Sequence, residues 1–302
     1  MADFASELSL LDAAMKTVTV QPKLPNAQNI MSASALLALD LPEPAWHIDH
    51  YIPKSSLTFI AGRPKTYKTF LALRMAYALS LGLPLFDSAP MTVPNPALPR
   101  TKVLFIEEEM NRNLLQHRLK LFTRVGHAPP ADFIMYTSSG FKLSSDKDLK
   151  GLADYIKEHE IKIVFLDPFS SVGGFENEND NSEVSKVLDN VRRTLVDSDL
   201  GISVVCIHHP SKNDKGALVN LRGAGDIHGK ADHIVVLERS EVTPQTQVTI
   251  MDSRLVDKTK EPVLMVEFRS FDSASLLDGT MATTKKMDIL PTVSQPTESL
   301  KK

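Results

Sequence analysis

The chain has 302 residues, of which 42% are hydrophobic and 24% are charged, a balance typical of globular proteins. Its apolar runs are all shorter than the roughly 18 residues that a membrane span requires, so we expect no membrane-spanning segment. The formal net charge of −3 excludes a bulk attraction to nucleic acid, so any nucleic-acid site must be a local patch. Residues 1–4 show no start of a secretory signal and Cys206 is the single cysteine, so we expect a cytoplasmic protein without an internal disulfide.

The two ends of the chain differ in composition from the middle. Residues 1–45 show little hydrophobic periodicity and close with Pro42-Glu43-Pro44, which predicts a flexible N-terminal arm with a short helix near 33–39. Residues 271–302 are rich in Ser, Thr and Lys, which predicts a disordered C-terminal tail. We therefore expect one folded domain, spanning 46–270.

This domain begins with a strand, a loop and a helix. Residues 56–61 are an apolar run typical of a buried strand, and 70–81 have the Leu, Ala and Met content of a buried helix. The loop between them reads Gly62-Arg63-Pro64-Lys65-Thr66-Tyr67-Lys68-Thr69. It matches the phosphate-binding pattern G-x-x-x-x-G-K-[ST] except at Tyr67, which replaces the second glycine.

The loop predicts a site for ATP with Mg²⁺. A helix N-terminus offers N–H groups and a positive dipole end to a polyphosphate. Lys68 is expected to contact the β- and γ-phosphates, and the Thr69 hydroxyl to ligate Mg²⁺. The alternative for an imperfect match is a lysine-rich turn without a ligand, and the motifs downstream decide between the two.

Apolar runs and helical patterns then alternate, which predicts an α/β fold. The mainly parallel sheet would have helices on both faces and antiparallel strands at one edge. The predicted strands are 103–106, 133–136, 161–166, 202–207 and 233–237, with antiparallel additions at 247–251 and 263–268. The predicted helices are 112–125, 147–158 and 183–196.

Carboxylates follow two of the predicted strands. Asp167 ends the run 161–167, where a parallel sheet places its ligands, so we expect it to hold Mg²⁺ rather than cap an Asp-Pro turn. Glu107, Glu108 and Glu109 follow the run 103–106. Hydrolysis needs one carboxylate to orient or deprotonate the attacking water. Glu109 is our choice and Glu108 the second candidate, with the remaining glutamates interpreted as surface groups.

Polar groups after 202–207 complete the pattern. His208 and His209 stand at that strand end, where one could contact the γ-phosphate. A shared metal is disfavoured because adjacent strand residues point to opposite faces, and a general base or a solvated turn stays open. The glycine-rich segment that follows carries Lys212, Lys215 and Arg222. It could contact a nucleic-acid backbone, or be a solvated loop.

Six segments within about 45–270 together resemble the RecA-like ATPases of the hexameric replicative helicase group. The likeness is closer to the RepA-type plasmid helicases and more distant to the DnaB-type helicases. The segments are Trp46 through Pro53; Val103 through Met110 with Gln116-His117-Arg118-Leu119; Asp167-Pro168; Glu178-Asn179-Asp180-Asn181; His208-His209-Pro210-Ser211-Lys212; and Arg222-Gly223-Ala224-Gly225 followed by Ala231-Asp232.

The resemblance implies a ring that binds ATP between neighbouring subunits and moves on single-stranded DNA. Glu109 would then be the general base and His209 the γ-phosphate sensor. Arg254 would be the arginine that reaches the neighbour's site, with Arg239 the alternate, because the lysine usual before this arginine is absent. Loops 170–181 and 212–222 would face the DNA, and initiator or primase proteins would load the ring.

Two other functions remain open at this stage. One is a nucleotide-switched, DNA-binding accessory in recombination or replication that does not unwind DNA, which Tyr67 would suit. The other is a domain without catalysis, which the presence of Lys68, Thr69, Glu109 and Asp167 disfavours.

Overall fold

The computed structural model of the chain describes residues 30–40, 43–86, 95–122, 131–177, 180–209, 225–239, 245–255, 264–269 and 290–294. The chain divides into two compact units, Met1–Glu43 and Pro44–Lys302. The described part of the first unit contains helix α1 (Ala33–Leu37), capped by Ser32, whose hydroxyl accepts a hydrogen bond from the Ala35 N–H at 3.1 Å. Most of the predicted arm lies outside the described residues.

The second unit is built on a twisted sheet. Its described strands are β1 (Trp46–Ile48), β2 (Ile52–Pro53), β3 (Leu57–Gly62), β4 (Val103–Glu107), β5 (Phe133–Thr137), β6 (Ile163–Asp167), β7 (Ser203–His208), β8 (His233–Arg239), β9 (Gln245–Ser253), β10 (Leu264–Arg269) and β11 (Leu290–Ser294). Strands β1 and β2 form a small antiparallel pair. The other nine form one sheet in the order β5-β4-β6-β7-β3-β8-β9-β10-β11.

Six of these nine strands, from β5 to β8, are parallel, and the last three continue the sheet antiparallel. The described helices of this unit are α2 (Lys68–Leu81), α3 (Arg112–Phe122), α4 (Asp146–His159), α5 (Phe169–Gly173), α6 (Asn181–Val191), followed by a π-helical turn at Arg192–Val196, and α7 (Gly225–Lys230). The α/β prediction, with its antiparallel additions at one edge, is confirmed.

Alternate residues of each strand enter separate cores on the two faces of the sheet. On one face Phe105 and Phe165 stack with centroids 5.5 Å apart and pack with Met75 of α2. On the other face Leu104 and Val164 pack with residues of α4 and α6. Strands buried on both sides explain the continuous apolar runs of the sequence.

The ends of several predicted elements need correction. The predicted helix 183–196 begins at Asn181, because the Asp180 side chain caps it, and its last turn is π-helical. The predicted disordered tail contains β11, which pairs with the open edge of β10, Met265 lying opposite Ser294. Backbone pairing at a sheet edge can order a segment whose composition predicts disorder. Within the described ranges, the helices are all too short or too polar to span a bilayer.

Candidate nucleotide-binding site

Four neighbouring parallel strands have their carboxyl ends side by side. Ala61 of β3 lies opposite His208 of β7, and Glu107 of β4 lies opposite Asp167 of β6. This register explains how loops distant in sequence converge. The charges of Asp167 and Glu109 both act on Lys68, which begins α2.

The loop after β3 has the backbone path that its glycine pattern predicts. A Cβ at Gly62 would collide with the carbonyl oxygen of Leu237 on the neighbouring strand, so only glycine fits there. Tyr67, in place of the second glycine, has φ 67° and ψ 21°, which is the left-handed conformation. A side chain in this conformation costs about 1–2 kcal/mol. The substitution therefore adds strain but leaves the loop in the form that a glycine would give.

The Tyr67 ring is held between two neighbours. Its centroid lies 6.1 Å from that of Phe70, edge to face, and the Arg239 guanidinium carbon lies 5.7 Å from it. The Arg118 guanidinium covers Phe70 at 4.6 Å. Cation–π contacts of this kind contribute about 0.5–1 kcal/mol at exposed sites, so they offset part of the strain at Tyr67.

Lys68 is buried at the N-terminus of α2. Its ammonium donates to the carbonyl oxygens of Gly62 at 2.6 Å and Arg63 at 2.8 Å. Burial lowers its pKa to about 8, and the negative charges of Asp167 and Glu109 oppose that shift. Lys68 is thus a charged donor at neutral pH, beside the helix N–H groups that favour an anion.

Asp167 is buried, with 1% of its surface exposed. Within the described part of the chain neither of its oxygens has a hydrogen-bond partner, although the Thr69 hydroxyl is close enough to affect its pKa. Burial raises that pKa to about 7, and the charge of Glu107 adds to the effect, while Thr69 and Lys68 oppose it. The alternative of a capping aspartate is wrong, because Pro168 is the N-cap residue of α5 and no side chain caps that helix.

Thr69 and Asp167 fit a divalent cation. A buried carboxylate without a partner is costly, and a bound cation would compensate it. A magnesium ion shared with nucleotide phosphates usually takes only one or two protein ligands. Among the described residues there is no cluster of three His, Cys, Asp or Glu side chains that could hold a metal alone.

The three adjacent glutamates have three different environments. Glu109 is exposed, and its charge acts on Lys68 and His209. Glu108 accepts hydrogen bonds from the backbone N–H groups of Ser139, at 2.9 Å, and Gly140, at 3.1 Å, so it fixes a neighbouring loop.

Glu107 is fully buried. The interpretation of the other two glutamates as surface groups is therefore wrong, because Glu107 is still part of β4 and Glu108 turns into a loop contact. Because the three residues are identical, the sequence contains no signal that distinguishes their environments.

The two histidines are both neutral at pH 7 and lie at the end of β7. Burial lowers the pKa of His208 to about 4, and its ring packs against Phe59 and Phe169 with centroids 6.3 Å from each. Burial and the charge of Lys68 lower the pKa of His209, while Glu109 opposes them. The structure thus brings the predicted sensor, His209, near Lys68 and Glu109.

The two predicted arginines lie at opposite ends of strand β8. Arg239 contacts Tyr67 of its own loop. Arg254 follows β9, whose Ser253 pairs with His233 at the start of β8, so it lies at the edge away from the loop. Its guanidinium donates to Asp232 at 3.0 Å and to the carbonyl oxygen of Gly229 at 2.9 Å. Arg254 therefore does not join the site of its own chain.

Arg118 lies near the carboxylates of the candidate site, and the sequence analysis names it only within the segment Gln116-His117-Arg118-Leu119, without a role. It is half-buried on α3 beside the ring of Phe70. Burial lowers its pKa, and the charges of Glu107, Asp167 and Glu109 oppose that shift. Its place in the segment that resembles known helicases was the available signal. The predicted DNA-contacting residues Lys212, Lys215 and Arg222 lie outside the described residues, as do Glu178 and Asn179.

Comparison with known proteins gives the same assignment. The sequence is 23% identical over 218 residues to a probable plasmid replicative DNA helicase of Chlamydia trachomatis serovar L2. It has the same identity over the same length to a second probable plasmid replicative DNA helicase, from Chlamydia trachomatis. The match covers 67% of this chain and 47% of each relative, so the chain spans about half the length of the curated relatives it matches. These relatives confirm the resemblance to RecA-like, replicative helicase-type ATPases.

A family model described as an AAA domain matches residues 22–215, which is more than half of the sequence. That range contains the phosphate loop, the three glutamates, Asp167 and both histidines. With the parallel sheet and the loop geometry, it identifies an α/β P-loop NTPase core, and the chain belongs to the AAA domain family.

Proposed function

We propose that the protein is an ATPase that couples ATP hydrolysis to movement on single-stranded DNA, as a ring-forming helicase of plasmid, phage or mobile-element type. One observation carries the proposal: Lys68, Asp167, Glu109 and His209 converge at one edge of the sheet around a loop with phosphate-binding shape. The similarity to probable plasmid replicative helicases supports the DNA substrate.

In this proposal the phosphate loop, residues 62–69, binds the triphosphate. Lys68 would exchange its bonds to the loop carbonyls for bonds to the β- and γ-phosphates. Thr69 and Asp167 would hold magnesium, which neutralises charge on the phosphate oxygens when it is bound. The raised pKa of Asp167 means that this carboxyl loses its proton most readily when a cation is present.

Glu109 would orient the attacking water and accept its proton. It is exposed, next to Lys68 and His209, and Glu108 is already engaged by Ser139. His209 would report the presence of the γ-phosphate to the loop that follows it. A neutral imidazole can do this by hydrogen bonding without gaining a charge.

The arginine for the transition state would come from a neighbouring subunit. Arg254 lies at the far edge of its own sheet, so a head-to-tail ring is the arrangement in which it could reach an ATP site. Such an arginine contributes about 10³- to 10⁵-fold in rate in related phosphoryl transfers. Arg239 is less suited to act in trans because it contacts Tyr67 of its own loop.

DNA contacts are assigned by position alone. Lys212, Lys215 and Arg222 would follow the phosphate backbone of a single strand, and cytoplasmic initiator or primase proteins would load the ring.

The main alternative is a nucleotide-switched accessory that binds DNA without unwinding it. The departure of Tyr67 from the glycine pattern of the phosphate-binding loop supports that alternative.

ATP hydrolysis, measured with and without single-stranded DNA, tests the proposal. We compare the wild type with Glu109→Gln and with the matched neighbour Glu108→Gln. The expected result is stimulation by DNA, a loss of about 10²- to 10⁴-fold in Glu109→Gln, and retained activity in Glu108→Gln. Hydrolysis that is indifferent to DNA would replace the motor with the accessory function.

A further inference from the structure

Glu107 is a fully buried carboxylate at the end of β4, and the proposed function gives it no role. It lies opposite Asp167 in the strand register, and burial raises its pKa. Two buried carboxylates side by side are costly for folding, since each disfavours the charge of the other. If Glu107 only ended the strand, an apolar residue would serve equally well. The contacts of the Glu107 carboxylate therefore need an explanation.

One oxygen of Glu107 organises the turn that carries Glu109. Glu107 Oε1 accepts hydrogen bonds from the backbone N–H groups of both Glu109 and Met110, each at 2.8 Å. The N–H of Glu108 donates to the carbonyl oxygen of Asp167 at 3.0 Å. Three successive amides are thereby fixed to the ends of β4 and β6, although the Glu109 side chain itself is exposed.

We propose that Glu107 is a positioning residue, which holds the backbone of Glu109 so that its carboxylate meets the attacking water. The proposal rests on the proposed function, in which Glu109 orients that water. A displacement of about 1 Å at a reacting group can cost on the order of 100-fold in rate. The anchor acts through hydrogen-bond acceptance by Oε1 and does not require the negative charge.

A competing role for Glu107 would depend on its charge. Among the described residues Oε2 has no hydrogen-bond partner, and the charge of Glu107 acts on Asp167. The carboxylate could therefore strengthen cation binding directly. Two conservative variants separate these roles, since Glu107→Gln keeps the reach and the acceptor oxygen but loses the charge. Glu107→Asp keeps the charge but withdraws the oxygens by one methylene.

Steady-state ATP hydrolysis by the two variants is the test. For the positioning role we expect Glu107→Gln to keep kcat within about 5-fold, and Glu107→Asp to lose about 100-fold in kcat. The KM for ATP should stay within about 3-fold in both, because Lys68 is untouched. The reverse order, with the Asp variant active and the Gln variant inactive, would overturn the proposal, as would full activity in both.

A double variant tests whether Glu107 acts through Glu109. In a Glu109→Gln background, Glu107→Asp should reduce the remaining rate by less than about 2-fold, because the group that it positions is already lost. A further loss of about 100-fold would assign Glu107 a separate role and overturn the proposal. Affinity for a non-hydrolysable, fluorescent ATP analogue and the thermal midpoint verify that each variant is folded.

The failures of the two proposals are distinguishable. If Glu109→Gln leaves hydrolysis unchanged, the assignment of Glu109 fails, and with it the proposed mechanism. If Glu109→Gln abolishes hydrolysis while both Glu107 variants are fully active, only the positioning role is wrong.

Discussion

Asp167 lies at the carboxyl ends of the parallel strands and Asp232 at their amino ends, and the surroundings of the two aspartates differ. Asp232 accepts hydrogen bonds from the Leu57 N–H and from Arg192, both at 2.8 Å, and from Arg254 at 3.0 Å. Asp167 is more deeply buried and has no hydrogen-bond partner among the described residues. The fold thus satisfies the charge of Asp232 with its own donors, whereas it leaves the buried oxygens of Asp167 without a donor.

The contrast separates a carboxylate that the fold pairs with several donors from one that it leaves without a partner. Several donors compensate a buried charge for its lost hydration, and removing that charge leaves the donors unpaired. A buried carboxylate without donors raises the free energy of the folded state, and binding a cation relieves that cost. Burial alone therefore does not distinguish the two aspartates, whereas the number of their hydrogen-bond partners does.

The largest expected effect concerns activity at Asp167. Asp167→Asn should lower kcat for ATP hydrolysis by about 10²- to 10³-fold, because an amide cannot replace the carboxylate that would hold magnesium in the proposed function. The free energy of unfolding without nucleotide should stay the same or rise, since a buried charge is removed. Steady-state kinetics and denaturant unfolding of the same preparation measure both quantities.

An Asp167→Asn variant that is both inactive and clearly destabilised would contradict the comparison. Asp167 would then have a structural role like that of Asp232.

The second effect concerns stability at Asp232. Asp232→Asn should lower the free energy of unfolding by about 3 kcal/mol, because Arg192 and the Leu57 N–H lose a charged acceptor. Urea denaturation at pH 7 measures this. Asp189→Asn is a matched control, since its partner Lys230 forms a more exposed ion pair and we expect a loss below about 1 kcal/mol. Equal losses in the two variants would show that Asp232 is no more important than a surface charge.

The local sequence pattern predicts a role for Asp167, whereas it names Asp232 only within a segment that resembles known helicases. Asp167 could be predicted because a carboxylate after a buried strand is a local pattern. The partners of Asp232 are 175 residues away at Leu57 and 40 at Arg192, and no local pattern contains such contacts. The sheet itself was predictable for the same reason as Asp167, since apolar strands and helices alternate visibly.

Side-chain direction was the part that could not be predicted. Whether Glu107, Glu108 or Glu109 faces the core depends on the residue at which β4 ends, which three identical letters do not specify. Likewise the pattern shows that Tyr67 departs from glycine, but only the structure shows that its backbone keeps the left-handed form.

A third prediction sharpens the comparison through pH. The pKa of Asp167, about 7 when folded, exceeds its ordinary value of 3.8. This carboxyl therefore contributes stability that is fully present below pH 3.8 and is lost as the pH rises through 7. Because asparagine does not titrate, the stability of Asp167→Asn relative to the wild type should rise by about 2 kcal/mol between pH 5 and pH 8.

Urea unfolding at both pH values, with a chelator and without nucleotide, measures that difference. Asp232→Asn serves as the control, since Asp232 forms ion pairs with Arg192 and Arg254 and lies away from Asp167. A difference between Asp167→Asn and the wild type that does not change with pH would place the Asp167 carboxyl in contact with solvent.

The smallest expected effect concerns the backbone strain at Tyr67. Tyr67→Ala and Tyr67→Gly both lose the ring contacts with Phe70 and Arg239, but only glycine relieves the left-handed backbone. We expect the glycine variant to be more stable than the alanine variant by about 1 kcal/mol. At Gly151, an exposed position inside α4, the order should reverse, and Gly151→Ala should gain about 1 kcal/mol. Thermal unfolding of the wild type and the three variants decides the point. If alanine is the more stable residue at both positions, the loop backbone at Tyr67 is unstrained.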